Sequence, residues 1–252
     1  MQTMPYGPLA DQEGDLHRPR ASRPPVVCLL HGGFWRMPYG RDQMTAIAES
    51  LVSLGFAVWN LEYRRLGSPQ GGWPATMNDV ASGIDHLARI AAGGIGLDLD
   101  RVAVVGHSAG GQLALWSAAR VRAPGTPKSR VGVAATVGLA PIADLAYAYD
   151  HGVGGEVVGE LLGGTPSRYP ERCRAASPIE MLPLGVKQLV LHGTSDDVVP
   201  IEISRRYARA ADAAGDAVEL VELSGAGHMD FLDPGSEAHG ALSRWLTAAF
   251  PE

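Results

Sequence analysis

Residues 104–111 read Val-Val-Gly-His-Ser-Ala-Gly-Gly, and this stretch decides the fold. It holds the pattern Gly-x-Ser-x-Gly at Gly106, Ser108 and Gly110, between a short apolar run and a helix-like run. A serine at a sharp turn from strand to helix projects its hydroxyl above the sheet, and the flanking glycines leave room for the tight backbone. Free backbone N–H groups at the start of the helix favour a developing negative charge. The stretch therefore predicts a nucleophilic Ser108 at the end of a strand.

Length and composition restrict the classes of protein that the chain can represent. Its 252 residues, 46% of them hydrophobic and 19% charged, suffice for one large α/β domain. The net charge of −6 without a basic cluster argues against a nucleic-acid partner. No apolar run approaches the roughly 20 residues that span a bilayer, and the first residues lack the apolar core of a signal peptide. Cys28 and Cys173 form neither a disulfide framework nor a metal motif, so we expect a cytoplasmic location.

Strand-like and helix-like runs alternate along the chain. The predicted strands are Val26–Leu30, Phe56–Asn60, Val102–Val105, Val131–Leu139, Gln188–His192 and Val218–Leu223. The predicted helices are Arg41–Leu54, Met77–Ala92, Ala109–Arg120, Ile201–Ala214 and Ser236–Phe250. Thr76 or Asn78 is the expected cap of the second helix, and Gly125 and Gly215 are expected helix stops. This order predicts a doubly wound, mostly parallel α/β sheet with helices on both faces and a ligand site beyond the carboxyl ends of its strands.

The region of residues 141–184 interrupts the alternation. It holds short apolar pieces among glycines and prolines and is long for a plain connection. Long insertions in compact domains are usually lids or binding loops, so we expect a small cap over the site within a single domain of residues 1–252. The alternative is an added pair of surface helices with no role in binding.

Candidate partners for Ser108 follow two later strands. A serine hydroxyl needs a neighbouring base and a third group that orients the base, and in this type of sheet the acid precedes the histidine along the chain. Asp196 and Asp197 follow the strand that ends near His192, and His228 follows the next strand. Either aspartate can be the orienting acid, and the other is then a turn former. His107 and His192 are expected to support turns, and no recognised ligand spacing indicates a metal site.

Attack on a carbonyl creates an oxyanion that needs preorganised donors. We expect one donor to be the N–H of Ala109, directly after the nucleophile. The others are expected from the loop after the first predicted strand, which reads His31-Gly32-Gly33-Phe34-Trp35. The N–H groups of Gly33 and Phe34 are the predicted donors.

These motifs resemble those of the α/β-hydrolase superfamily. The His31-Gly32-Gly33 loop, together with residues 106–111, is similar to the esterase/lipase branch that includes hormone-sensitive-lipase-like esterases and kynurenine formamidases. The resemblance covers about residues 16–250 and implies an α/β-hydrolase fold, no cofactor and a Ser-His-Asp mechanism through an acyl-enzyme. It also assigns the acid to Asp196. An aromatic residue, Phe34, follows the two glycines, as in the formamidases, and residues 59–65 resemble those enzymes as well.

The resemblance implies a hydrolase of small carboxylic esters, with an arylformamide hydrolase as the alternative. An acyl-transfer or cyclisation enzyme with the same residues is a further alternative. A ligand-binding protein without catalysis is disfavoured because all three catalytic residue types are present. Phe34, Trp35, Trp73 and Tyr147 are the expected substrate walls, although Trp73 is equally well explained as a core anchor. Glu62 with Arg64 or Arg65 is expected to form a structural ion pair. Apolar surface on the cap or the last helix would allow a homodimer to form.

Overall fold

The computed structural model describes residues 1–120 and 129–251, so the expected helix stop at Gly125 lies outside the described residues. The strands are β1 (Gln2–Pro5), β2 (Glu13–His17), β3 (Pro25–Leu30), β4 (Ala57–Leu61), β5 (Asp98–His107), β6 (Ala135–Leu139), β7 (Lys187–Gly193) and β8 (Val218–Leu223). The α-helices are α1 (Thr45–Ser53), α2 (Ala75–Ala92), α3 (Ala109–Ala119), α4 (Leu145–Asp150), α5 (Val157–Leu162), α6 (Pro170–Ala176), α7 (Glu202–Ala213) and α8 (Glu237–Ala249). Short 3-10 helices lie at Arg41–Met44, Pro178–Met181 and His228–Leu232.

The strands form one eight-stranded sheet in the order β1-β2-β4-β3-β5-β6-β7-β8. In this order, every neighbouring pair from β4 to β8, including those of β3, is parallel. Strand β2 pairs in the antiparallel direction with both β1 and β4. The predicted doubly wound, mostly parallel α/β sheet is therefore confirmed. The serine and the two other candidate catalytic side chains all follow carboxyl ends of parallel strands, which lie at one edge of such a sheet.

Two buried layers hold the helices against the sheet. Successive residues of β3 alternate between them: Val26, Cys28 and Leu30 belong to one core, and Val27 and Leu29 to the other. The first core takes the apolar faces of α2, α3 and α7, and the second takes those of α1 and α8. Since both faces of the central strands are covered, these strands read as continuous apolar runs, as expected for a parallel sheet.

Element boundaries differ from the sequence prediction where side chains compete with the sheet ladder. The predicted strand Val131–Leu139 begins only at Ala135. The backbone of Val131 is bonded instead to side chains, because its N–H donates to Asp85 and its carbonyl accepts from Ser129. The predicted strand Val102–Val105 is longer at both ends and spans Asp98–His107.

The helix caps were predicted with mixed success. Neither Thr76 nor Asn78 caps α2, whose N-cap is Pro74. The Thr76 hydroxyl instead accepts from the Gly72 N–H and donates to the Arg64 carbonyl, so it stabilises the preceding loop. Gly215 does end a helix, because it follows α7 with a φ of +83° that favours glycine.

The hairpin of β1 and β2 is absent from the sequence prediction. Its residues are mostly polar and β1 is exposed, so no buried apolar run marks it. The only sequence signal is a short alternation in β2, where Gly14 and Leu16 are buried against neighbouring strands. Within the described part of the chain, no helix combines the length and apolarity that a bilayer-spanning helix needs.

The region of residues 141–184 contains α4, α5, α6 and one of the 3-10 helices. Its apolar side chains join the first core rather than forming a detached lobe. On its other side it meets the loops at the carboxyl edge of the sheet. Arg36 forms an ion pair with Glu160 at 2.7 Å, and the Trp73 N–H donates to the Leu161 carbonyl at 2.8 Å. These contacts place the insertion against the loops that follow β3 and β4.

Candidate active site

Ser108 lies at a strained turn between β5 and α3. Its φ of 55° and ψ of −118° are unfavourable for any residue other than glycine. Such backbone strain is typical of functional sites. The turn is tight: a Cβ on Gly106 would lie 2.0 Å from the Gly110 carbonyl oxygen, and one on Gly110 would lie 2.2 Å from the Leu30 carbonyl oxygen. The Ser108 N–H donates to the Leu139 carbonyl at 2.7 Å, which ties the turn to the neighbouring strand.

Asp196 and His228 are hydrogen-bonded to each other. The loops after β7 and β8 carry them, and His228 Nδ1 donates to Asp196 Oδ2 at 2.7 Å. The other carboxylate oxygen, Oδ1, accepts from the backbone N–H groups of Val198 and Val199 at 2.9 and 2.8 Å. His192 Nε2 lies 3.3 Å from Oδ2. The carboxylate therefore holds one ring nitrogen of His228 and is itself fixed from both sides.

The surroundings of Asp196 favour its charged form. Burial alone raises its pKa, but hydrogen bonds from His192, His228 and the Val199 N–H outweigh burial and lower the pKa overall. Asp197, the alternative acid, is exposed on the same loop. Of the two aspartates, the one in contact with His228 is thus Asp196.

His107 connects the serine turn to the histidine loop. Its Nε2 donates to the backbone carbonyl of His228 at 2.9 Å, and the two ring centroids are 4.6 Å apart. Burial and the nearby charge of His228 lower the pKa of His107 to about 3, so the ring is neutral at ordinary pH. Because His107 directly precedes Ser108, this contact places His228 beside the serine turn. His192 has a similar supporting role, as its ring nitrogens bond the Val199 carbonyl and the Ser204 hydroxyl.

The loop after β3 packs against Ser108. A Cβ on Gly32 would lie 3.2 Å from the Cβ of Ser108, so glycine permits this close approach. Gly33, Phe34 and Trp35 follow with φ values of 97°, 53° and 54°. This left-handed region favours glycine, so the backbone of Phe34 and Trp35 is strained, as is common at functional sites. The predicted donors Gly33 and Phe34 belong to this run, and Ala109 is the first residue of α3.

The four residues predicted to line the substrate site have different environments. Phe34, Trp73 and Tyr147 are half-buried, and a Cβ on Gly154 of the insertion would lie 2.5 Å from the Phe34 ring. Trp35 was predicted wrongly. It is 0% exposed in the first core, where its Nε1 donates to Gln112 at 3.0 Å.

Glu62, outside the catalytic residues, forms the expected ion pair with an arginine and a further contact that the sequence did not predict. Glu62 lies 3.4 Å from Arg65, whereas Arg64 pairs with Asp79 at 2.7 Å. The missed partner of Glu62 is His31, at 2.7 Å. Their separation along the chain leaves no local pattern, although both lie at the ends of adjacent parallel strands. Across residues 1–120 and 129–251, no group of three His, Cys, Asp or Glu side chains is arranged to hold a metal ion.

Comparison with known proteins places this geometry in a class. A mostly parallel sheet with a strained serine between strand and helix defines the α/β-hydrolases. The chain belongs to the BD-FAE family, whose model matches residues 15–210. It is 31% identical over 242 residues to esterase LipQ of Mycobacterium tuberculosis, covering 89% of this chain and 56% of that protein. Over 220 residues it is 29% identical to esterase LipC of the same organism, covering 83% of this chain and 54% of that one. The chain thus spans about half the length of these curated relatives.

Solved structures share the fold across nearly the whole chain. A carbohydrate esterase from gut microbiota superposes with a TM-score of 0.84 at 20% identity, covering 99% of this chain and 96% of that one. A thermophilic esterase from Thermogutta terrifontis superposes with a TM-score of 0.78 at 23% identity, covering 98% and 91%. At these identities the likeness concerns the fold alone.

Proposed function

We propose that this protein is a serine hydrolase that cleaves small carboxylic esters through Ser108, His228 and Asp196. The observation that carries the proposal is the 2.7 Å hydrogen bond from His228 Nδ1 to Asp196 beside the strained turn of Ser108. With Nδ1 occupied as a donor, His228 presents the lone pair of Nε2 as the base. The names of the curated relatives, esterases LipC and LipQ, support ester cleavage.

The mechanism follows from these roles. The Ser108 hydroxyl attacks the ester carbonyl while His228 Nε2 takes its proton, and Asp196 stabilises the resulting imidazolium. The negative charge that develops on the carbonyl oxygen is bound by the N–H groups of Ala109, Gly33 and Phe34. Collapse of the tetrahedral intermediate expels the alcohol, which receives the proton from His228. Water then attacks the acyl-enzyme with His228 again as base, and the carboxylic acid and the free serine are released.

The proposed substrate walls are Phe34, Trp73 and Tyr147. Phe34 follows a proposed oxyanion donor directly, and the insertion packs on its ring. Tyr147 stacks on His151 with centroids 3.7 Å apart, and the Arg206 guanidinium lies 4.8 Å from its ring centroid. The aromatic rings of Phe34 and Trp73 suit a small apolar acyl or alcohol group, and the Arg206 guanidinium lies beside Tyr147 as a polar group.

The first test compares Ser108→Ala with the wild-type protein. We expect the variant to lose nearly all turnover of p-nitrophenyl acetate through octanoate, and to lose labelling by a fluorophosphonate. Ser195→Ala, a change at an exposed serine, is the matched control and should keep full activity. Turnover retained by Ser108→Ala rejects the proposal.

The same assay separates the alternative functions. A strong preference for N-formylkynurenine over the esters identifies an arylformamide hydrolase instead. Transfer of the acyl group to an added alcohol, in excess of hydrolysis, identifies an acyl-transfer enzyme. Preference for short or medium esters with free acid as product supports the ester hydrolase.

A further inference from the structure

The ring of Tyr39 lies on Gly33, one of the proposed oxyanion donors. A Cβ on Gly33 would lie 2.6 Å from Cδ2 of Tyr39, so the ring packs directly on the glycine backbone. Gly33 also has a φ of 97°, which glycine adopts without strain. A larger residue at this position would therefore push the ring away from the oxyanion loop.

Hydrogen bonds hold the backbone around Tyr39 in place. The Arg36 N–H donates to the Gly33 carbonyl at 3.0 Å and closes the turn that brings Tyr39 back toward Gly33. The guanidinium of Arg65, which is buried, donates to the carbonyl oxygen of Tyr39. The Tyr39 side chain nevertheless remains 47% exposed. The protein therefore presents a fixed aromatic ring to solvent beside the oxyanion loop.

A second exposed apolar side chain follows the proposed catalytic histidine. Met229 is the residue after His228, in the 3-10 helix His228–Leu232, and it is 60% exposed. In the proposed mechanism, His228 gives a proton to the oxygen of the departing alcohol, and the Gly33 N–H binds the carbonyl oxygen of the same ester. Because both oxygens are bonded to one carbon atom, the loops that carry Met229 and Tyr39 meet at the ester.

Exposed apolar side chains are concentrated on these two loops. Within residues 1–120 and 129–251, the large hydrophobic residues that are exposed are Met1, Leu9, Met37, Tyr39, Leu54 and Met229. Three of them, Met37, Tyr39 and Met229, belong to the loop after β3 or to the loop after β8. Single exposed apolar residues are normal, but several of them beside a reactive centre indicate a surface that a ligand covers.

We propose that Tyr39 and Met229 are specificity-determining residues that bind the alcohol portion of the ester, and that this portion is a large apolar group. The inference rests on the proposed function, because it takes His228 as the proton donor to the alcohol and Gly33 as an oxyanion donor. An aromatic ring and a flexible thioether both pack well against apolar groups. The preferred substrate class is an ester of a short carboxylic acid with an aromatic or bulky aliphatic alcohol.

Hydrolysis of three acetate esters tests this substrate class. Ethyl, benzyl and cyclohexylmethyl acetate share one acyl group, and their alcohols have similar acidity, so differences in kcat/KM report contacts with the alcohol. The release of acetic acid is measured in a pH-stat. We expect kcat/KM for benzyl and cyclohexylmethyl acetate to exceed that for ethyl acetate by at least about tenfold. Equal values for the three esters overturn the inference.

Substitutions test whether the two side chains cause the preference. In Tyr39→Ala and in Met229→Ala, we expect the ratio of kcat/KM for benzyl acetate to kcat/KM for ethyl acetate to fall at least about threefold. Tyr39→Phe retains the ring and should retain the ratio. Leu54→Ala, at an exposed apolar residue that ends α1, is the matched control and should keep the wild-type ratio. A variant that is only destabilised loses rate on both esters alike, so an unchanged ratio in both alanine variants overturns the inference.

A second pair of esters tests whether these residues contact the acyl group instead. p-Nitrophenyl acetate and octanoate have the same leaving alcohol and differ in acyl length. We expect Tyr39→Ala and Met229→Ala to keep the wild-type ratio of kcat/KM for these two esters. A changed ratio would place the two residues against the acyl chain and overturn the inference.

Binding is measured without turnover in the Ser108→Ala protein. Methionine labelled with ¹³C at its methyl group gives separate NMR signals, and the Met229 signal is the one that disappears when Met229→Ala is added. We expect benzyl acetate to shift this signal more than ethyl acetate does at the same concentration, and the absence of any shift with benzyl acetate overturns the inference. If the wild-type protein turns over no ester, the proposed function itself fails, and the Met229 signal still decides whether an apolar alcohol group binds here.

Discussion

Replacing Asp196 with asparagine should stop turnover while the fold is kept. In the native loop, Oδ1 accepts from the Val198 and Val199 N–H groups at 2.9 and 2.8 Å. Only an oxygen can accept those two bonds, so the asparagine NH₂ must occupy the position of Oδ2. That NH₂ then faces His228 Nδ1, 2.7 Å away in the native protein. Since NH₂ is a donor, Nδ1 must become an acceptor, and the proton of His228 moves to Nε2.

The size of the effect follows from the changed tautomer. A histidine with its proton on Nε2 cannot take the proton of Ser108. The same carboxylate-to-amide change in a trypsin-like protease lowers kcat by about 10⁴-fold. An equal loss here corresponds to about 5 kcal/mol of transition-state stabilisation. The loss of stability is smaller, about 1–3 kcal/mol, because the hydrogen bonds of Oδ1 are kept.

The assay is steady-state hydrolysis of p-nitrophenyl butyrate at pH 7.5, well below the melting temperature of the variant. Asp197→Asn is the matched control, since this neighbouring carboxylate is exposed, and its kcat should stay within about twofold of wild type. If Asp196→Asn keeps more than about a tenth of the wild-type kcat, the tautomer argument is refuted. Equal losses in the two variants would show that the loop as a whole, rather than the Asp196–His228 bond, is responsible.

Two further predictions concern stability. Burial and the His228 charge lower the pKa of His107 to about 3. Between about pH 6.5 and 3, the unfolded chain therefore binds a proton at this histidine that the folded protein does not bind. As a result, the free energy of unfolding falls by about 1.4 kcal/mol for each unit by which the pH falls. His107→Gln should reduce this slope in urea unfolding at pH 7 and 5, whereas His151→Gln, at an exposed position, should not; equal slopes would contradict the assignment. Gly110→Ala should destabilise the protein by about 3 kcal/mol, because its Cβ would lie 2.2 Å from the Leu30 carbonyl oxygen. Gly132→Ala, with no heavy atom within 4 Å of the added Cβ, is its control, and similar melting temperatures for the two would count against the tight turn.

The parallel strands were predictable because burial on both faces leaves a continuous apolar run. The predicted strand Val26–Leu30 lies within β3 (Pro25–Leu30), and all five of its residues are buried. The N-terminal hairpin was not predictable in this way. Its strand β2 is held by antiparallel pairing with β4, a contact between residues such as Leu16 and Trp59 that are far apart in sequence.

Trp35 shows where a local pattern misleads. An aromatic residue after a glycine loop at a strand end is typical of a substrate wall, and Phe34 and Trp35 fit that pattern equally well. The backbone of Trp35 has a φ of 54°, and its ring packs inward onto Gln112. Phe34 has nearly the same φ but is only half-buried, so which ring is buried depends on tertiary contacts that the local sequence does not reveal.

Sequence alone determined the fold and the chain order of the candidate residues Ser108, Asp196 and His228, since each follows an apolar run and parallel strands bring their carboxyl ends to one edge. Only the tertiary structure decided which contacts those residues make. It joins His228 to Asp196 rather than Asp197, and it pairs His31 with Glu62 across 31 positions of the chain. The physical reason is that the periodicity of the sequence depends only on which face of a helix or strand is buried. A hydrogen bond instead needs two groups within about 3 Å of each other, and only the folded chain sets that distance.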